Sequence, residues 1–296
     1  MWNGRRLGLV WNSFLSGVLS ACGCMAVGVM AAAGIHNGRL RNSGRRWFFL
    51  LLAPVPYYIY ALTWMCLVRM AGRGDRKWLA LSMTGLLPCV AVDIMAFLPM
   101  VTRLVLTAME HYDRQQEEMA RVYGTGIKAL TRVVLPAIWP TVSAAGILVF
   151  VLSVTDFSVP SLFQYQTYTL ELFSEYSRGC SLGQIGRLAL PLILFVLMLA
   201  LAALRGLRTL SAGSTPMGER GLALSGIWGL CVKAGMLMCV LQLLVPAGIF
   251  LLEIQDWENV WDSIVLCRGE LAVSLVISGL ASLTALVLAG GSMDCG

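Results

Sequence analysis

Residues 137–155 read AIWPTVSAAGILVFVLSVT, nineteen positions without one charged side chain. A helix of that length covers about 28 Å at 1.5 Å per residue, close to the roughly 30 Å thickness of a bilayer's hydrocarbon core. Small residues sit at its centre (Ser143, Ala144, Ala145, Gly146), and in lipid these let neighbouring helices approach closely. Segments of the same kind recur on both sides. The predicted spans are residues 7–35, 47–68, 79–104, 137–161, 185–204, 226–252 and 271–291. The fold class expected is therefore an all-α polytopic membrane protein with about seven transmembrane helices.

Composition agrees. Of the 296 residues 58% are hydrophobic and 13% charged, and the mean hydropathy is +0.76. Soluble domains average about 45–50% apolar and about 25% charged. The net charge of +6 includes no dense basic run interleaved with aromatics, which argues against a nucleic-acid partner. Nine cysteines are scattered, most of them inside apolar runs where Cys acts as a small hydrophobe. Only His36 and His111 occur, so no metal centre and no cofactor are expected. The stretch Leu7 to Ile35 is much longer than the roughly 7–15 residues of a signal-peptide core and reads as a retained helix.

One hydrophilic island interrupts the pattern at 107–136. Its residues 108–136 read AMEHYDRQQEEMARVYGTGIKALTRVVLP. Met109, Tyr112, Met119, Val122 and Tyr123 recur roughly three to four apart, the spacing of short amphipathic helices, and Gly124-Thr125-Gly126 divides them.

The island resembles the cytoplasmic signature loop of ATP-binding-cassette (ABC) importer permeases. That loop runs Glu-Ala-Ala, three residues, Gly, a stretch, an aliphatic residue, one more residue, then Leu-Pro. Here it appears as Glu118-Met119-Ala120, Gly124 and Val133-Val134-Leu135-Pro136, with Met119 in place of the first alanine and one residue fewer after the glycine. Pro54 to Trp64, VTDFSVPSLF at 154–163 and TYTLELFSEYS at 167–177 are similar to segments of the ferric-iron, thiamine and phosphonate permease group. The resemblance implies a type I importer permease of the cell inner membrane. ABC ATPase subunits inside and an extracytoplasmic solute-binding protein outside would be its partners, along with the lipid bilayer. It also implies that Glu118, Ala120, Gly124, Gly126, Leu135 and Pro136 couple the membrane helices to the ATPase. Ferric iron is the first expectation for the solute, with thiamine, phosphonate or polyamine as alternatives. The chain carries no GxxxxGK[ST] phosphate loop, so ATP hydrolysis is assigned to the partner and the chain is not expected to be an enzyme.

Members of that group are commonly two fused halves. Residues 1–205 are expected to form a first half lacking its first helix. Residues 206–225 form a Gly/Ser/Pro cytoplasmic linker, and 226–296 the truncated start of a second half. An internal similarity of residues 12–29 to 273–290 supports a repeat. On this topology the inner segments carry 12 Lys and Arg and the outer segments 9, a weak bias, so orientation rests on the resemblance.

Two acids fall within predicted spans. Asp93 lies deep and Asp156 near the outer face. An intramembrane acid marks a solute path or gate by default; the alternative is a helix-to-helix structural pairing for Asp93 and an ordinary interfacial acid for Asp156. Rival readings from other classes are a membrane-embedded enzyme and a non-transporting scaffold.

Overall fold

A backbone surrounded by hydrocarbon has to satisfy its own N–H and C=O groups, which the α-helix does within one segment. The computed structural model describes residues 4–37, 56–71, 84–110, 130–208, 227–254 and 257–293. Helix α1 spans Gly4–Asn37, α2 Tyr57–Ala71 and α3 Leu86–Glu110. A π-helical turn, Leu130–Val134, runs directly into α4, Leu135–Thr155. Then follow α5 (Ser158–Leu162), α6 (Tyr168–Ser177) and α7 (Leu182–Arg208). The remaining helices are α8 (Ile227–Glu253), α9 (Trp257–Leu266) and α10 (Arg268–Met293). No strand occurs among the described residues. Six of the described helices are long and apolar enough to cross a membrane: α1, α3, α4 with its π turn, α7, α8 and α10.

Several boundaries differ from the sequence expectation. The described part of the second span is the 15-residue α2, which starts immediately after Pro56. Residues 47–55 lie outside the described residues. The third helix begins at Leu86, behind Gly85, whose φ of 97° breaks the chain's approach. The fourth span was expected to reach residue 161 and stops at Thr155. Two expected loops also contain helices, α6 within 162–184 and α9 within 253–270.

The core is a three-helix packing of α1, α3 and α4. Gly23 of α1 faces Ile94 of α3, and Gly28 faces Val101 and Thr102, so α1 and α3 run parallel. Against α4 the order reverses: Gly17 meets Val154 and Phe150, while Met25 meets Gly146. A Cβ at Gly28 would sit 2.7 Å from Val101 Cγ1, so the close approach of α1 to α3 requires glycine there. A second apolar cluster joins α2, α3 and α5 through Tyr60, Cys89, Val92, Val159 and Phe163.

Packing divides the chain into two units, Met1–Ile249 and Phe250–Gly296, and the break falls inside α8. The reason is local: Gly235 of α8 lies over the backbone of Ala31, and Cys239 packs with Ala31 and Leu98. In the second unit α9 and α10 adjoin, and the side chains of α10 from Arg268 to Leu286 are exposed along its length.

Candidate functional site

The three core helices carry a buried polar layer. Ser13, Ser16 and Ser20 are buried on one stripe of α1, spaced three and four residues apart as a helix face requires. The last of them reaches Asp93, itself only 5% exposed. Ser20 Oγ donates to Asp93 Oδ2 at 3.0 Å, and Ser153 Oγ of α4 donates to the same oxygen at 2.5 Å. The Cys24 thiol, one turn along α1, donates to the Ile94 carbonyl at 3.6 Å. One carboxylate on α3 therefore ties both neighbouring spans, each by a hydroxyl that would otherwise be stranded in hydrocarbon.

Asp156 follows Ser153 by three residues, near enough for its charge to act on Asp93, and both acids act on the Tyr57 phenol. Asp156 ends one helix and starts another. Its backbone N–H donates to the Leu152 and Ser153 carbonyls at 3.1 and 3.3 Å, closing α4. Its Oδ1 accepts from the Ser158 N–H and its Oδ2 from the Val159 N–H, both at 2.9 Å, opening α5. A carboxylate oxygen taking the free amides of a first helical turn is the standard capping geometry. Hydrophobicity reads on through Phe157, Val159 and Pro160, which is why the expected span ran too long.

Beyond Asp156 the chain folds across the ends of α1, α4 and α7. Thr167 caps α6 by accepting from the Leu170 N–H at 3.3 Å. The Tyr168 N–H donates to Ser13 Oγ at 2.9 Å, and its hydroxyl donates to the Leu188 carbonyl at 2.7 Å. Thr169 Oγ1 donates to the Val154 carbonyl at 2.5 Å, and Arg5 pairs with Glu171 at 3.0 Å. Phe157 stacks on Phe173 with centroids 4.3 Å apart. The Cys180 thiol donates to Glu175 Oε2 at 3.4 Å, and that hydrogen bond, ahead of desolvation, pushes the thiol above its ordinary range.

Of the expected coupling residues, Glu118, Ala120, Gly124 and Gly126 lie outside the described residues. Leu135 and Pro136 are described and open α4, with Pro136 in its first turn directly after the π turn. Of the segment expected to form short amphipathic helices, residues 111–129 lie outside the described residues, and Leu130–Val134 form the π turn that continues into α4 with no intervening loop. The acids Asp93 and Asp156 come together at one end of α4, and Leu135 and Pro136 stand at the other. Sequence reasoning missed Ser20 and Ser153 as partners of Asp93. The signal that would have found Ser20 is the serine stripe 13, 16, 20 of α1; for Ser153, a single serine in an apolar run, there was none.

Long apolar helices joined in their interior by a shared carboxylate define a multi-pass integral membrane protein. Residues 25–207 match the family described as binding-protein-dependent transport system inner membrane component, and the chain belongs to that family. It is accordingly a permease subunit of an ABC importer, a class that works with ATPase subunits and a solute-binding protein. No curated protein matches the chain.

Proposed function

We propose that residues 107–136 dock on the ATPase and that α4 transmits the docking movement to the outer face, with ferric iron as the imported solute. The observation that carries the coupling reading is the continuity of helix from Leu130 to Thr155. One continuous element, with Pro140 inside it, links the Leu135–Pro136 end to Ser153, which holds Asp93, and to Asp156, which holds the outer segment. A displacement at one end therefore moves the hydrogen-bonded layer and the outer cap together. Alternating access then exposes a path past the Asp93–Asp156 region to each side in turn. Residues 1–205 act as a first permease half, 206–225 as a cytoplasmic linker and 226–296 as the start of a second. In that arrangement α10 corresponds to α1.

Iron rests on the likeness of 54–64, 154–163 and 167–177 to the ferric-iron, thiamine and phosphonate group. The test is uptake by the complete transporter. Gly124→Trp is expected to abolish import while membrane insertion stays normal, because the turn is lost and the spans are not. Unchanged uptake removes the coupling role. Uptake of radioactive ferric iron, competed by none of thiamine, phosphonate or polyamine, is expected of the wild type. Transport of one of the others instead overturns the choice of iron and leaves the mechanism standing. An ATPase subunit that fails to co-purify with the chain favours a membrane enzyme or scaffold.

A further inference from the structure

At the end of the bundle bearing the α6 cap, a cavity of about 330 Å³ opens between α1, α4 and α7. Val10 and Phe14 of α1, Phe150 and Val154 of α4, and Leu192 and Phe195 of α7 give it an almost wholly apolar wall. The rings are held in place: Phe150 meets Phe14 edge-on at 5.7 Å and Phe195 at 6.2 Å. Val10, Phe14 and Phe195 remain partly exposed, so the cavity is a crevice facing the surrounding hydrocarbon and not a sealed void.

Its rim is cationic. Arg6 stands one helical turn before Val10 on α1, and Arg187 one turn before Pro191, another wall residue, on α7. Each arginine therefore sits on the face of its helix that lines the crevice, at the level of the interface. Arg187 Nε donates to the Gly183 carbonyl at 3.2 Å, and Tyr168 of α6 is a further wall residue. Its hydroxyl bonds the carbonyl of Leu188, next to Arg187, and Arg6 lies near enough to offset part of the rise that burial gives its phenol. Arg5 is also present and pairs with Glu171.

We propose that the crevice is a binding site for an anionic phospholipid, with one acyl chain against Phe14, Phe150 and Phe195 and the phosphate against Arg6 and Arg187. An apolar crevice alone takes any hydrocarbon, and arginines alone take any anion. The two placed one helical turn apart match a molecule with a phosphate at the head of a chain. Arginine forks suit phosphate oxygens bidentately, and juxtamembrane cations add affinity for anionic lipid. The lipid fills a wedge walled in part by Pro191 of α7, and supports the Ser13–Tyr168 link behind it.

The test is native mass spectrometry of the full purified chain in detergent, with palmitoyl-oleoyl phosphatidylglycerol or phosphatidylcholine at equal mole fraction. One phosphatidylglycerol retained per chain is expected, with about tenfold preference over phosphatidylcholine. Arg187→Gln, on an exposed side chain, should reduce that preference about fivefold. Val10→Trp, which fills the crevice from its exposed edge, should remove retention of both lipids. Equal retention of the two lipids by the wild type, or a phosphatidylglycerol adduct unaffected by Arg187→Gln, overturns the site. Arg187→Gln decides the question even where Val10→Trp does not fold.

Discussion

A carboxylate at the centre of a membrane helix costs roughly 2.5–3.5 kcal/mol on insertion scales and less toward its ends; Asp93, in the first third of α3, offsets its cost with two hydroxyls from two other helices. Interhelical hydrogen bonds in membranes average about 0.6 kcal/mol, so removing either serine should be mild. Removing the carboxylate strands both hydroxyls at once. Asp93→Ala is expected to destabilise the protein in detergent by about 1–3 kcal/mol, Ser20→Ala or Ser153→Ala by well under 1 kcal/mol, and Asp93→Asn to fall between. Thermal unfolding in detergent measures this. An Asp93→Ala protein as stable as the wild type but dead in transport would make Asp93 a path residue and not a fastener. A second residue behaves differently because it lies outside the spans. Glu175 holds the Cys180 thiol above its usual range, so little thiolate is present at pH 8. Glu175→Ala should lower that value and speed maleimide labelling at Cys180 at pH 8. The gap should narrow as pH rises through the wild-type value, where both thiols ionise. Equal rates at pH 8 would show that the hydrogen bond does not control the thiol.

The elements show what the sequence could and could not disclose. Spans were legible because hydrocarbon selects uncharged runs of fixed length, and six of the predicted seven reappear as long apolar helices among the described residues. Their ends were less legible, because a cap is set by two or three local hydrogen bonds that hydropathy does not weigh. Asp156 illustrates this: the apolar run continues past it, yet its carboxylate takes two amides and turns the chain. Helix α6 was hidden among Tyr, Thr, Glu and Ser, the residues of a loop, although Thr167 with Glu171 in the first turn was a start signal in plain view. The Asp93 layer was half legible. The acid stood out by its rarity, while its partner Ser153 lies 60 residues away and only the packing of α4 against α1 and α3 brings it near. For the coupling segment, Leu135 and Pro136 fall in the first turn of α4, after the π turn.

At the scale of the whole molecule, the parallel run of α1 and α3 and the reverse run of α4 fix which ends share a side. The C-terminal ends of α1 and α3 and the first turn of α4 lie together, opposite α6. In a cysteine-free background, single cysteines at Asn37 and at position 128 should therefore label only from the cytosol, and one at Tyr176 only from outside. External labelling at 128 would reverse the orientation and remove the ATPase docking with it.

The parallel pairing of α1 with α3 also bears on how the protein is made. Two neighbouring helices that point the same way cannot meet until the chain between them has crossed the membrane back. When α3 leaves the ribosome, Ser20 is already in the bilayer and Ser153 has not been synthesised. Asp93 thus enters lipid with one of its two hydroxyls available, and the nascent chain waits in a partly satisfied state until α4 arrives. The buried carboxylate is satisfied in full only once α1, α3 and α4 are all in place.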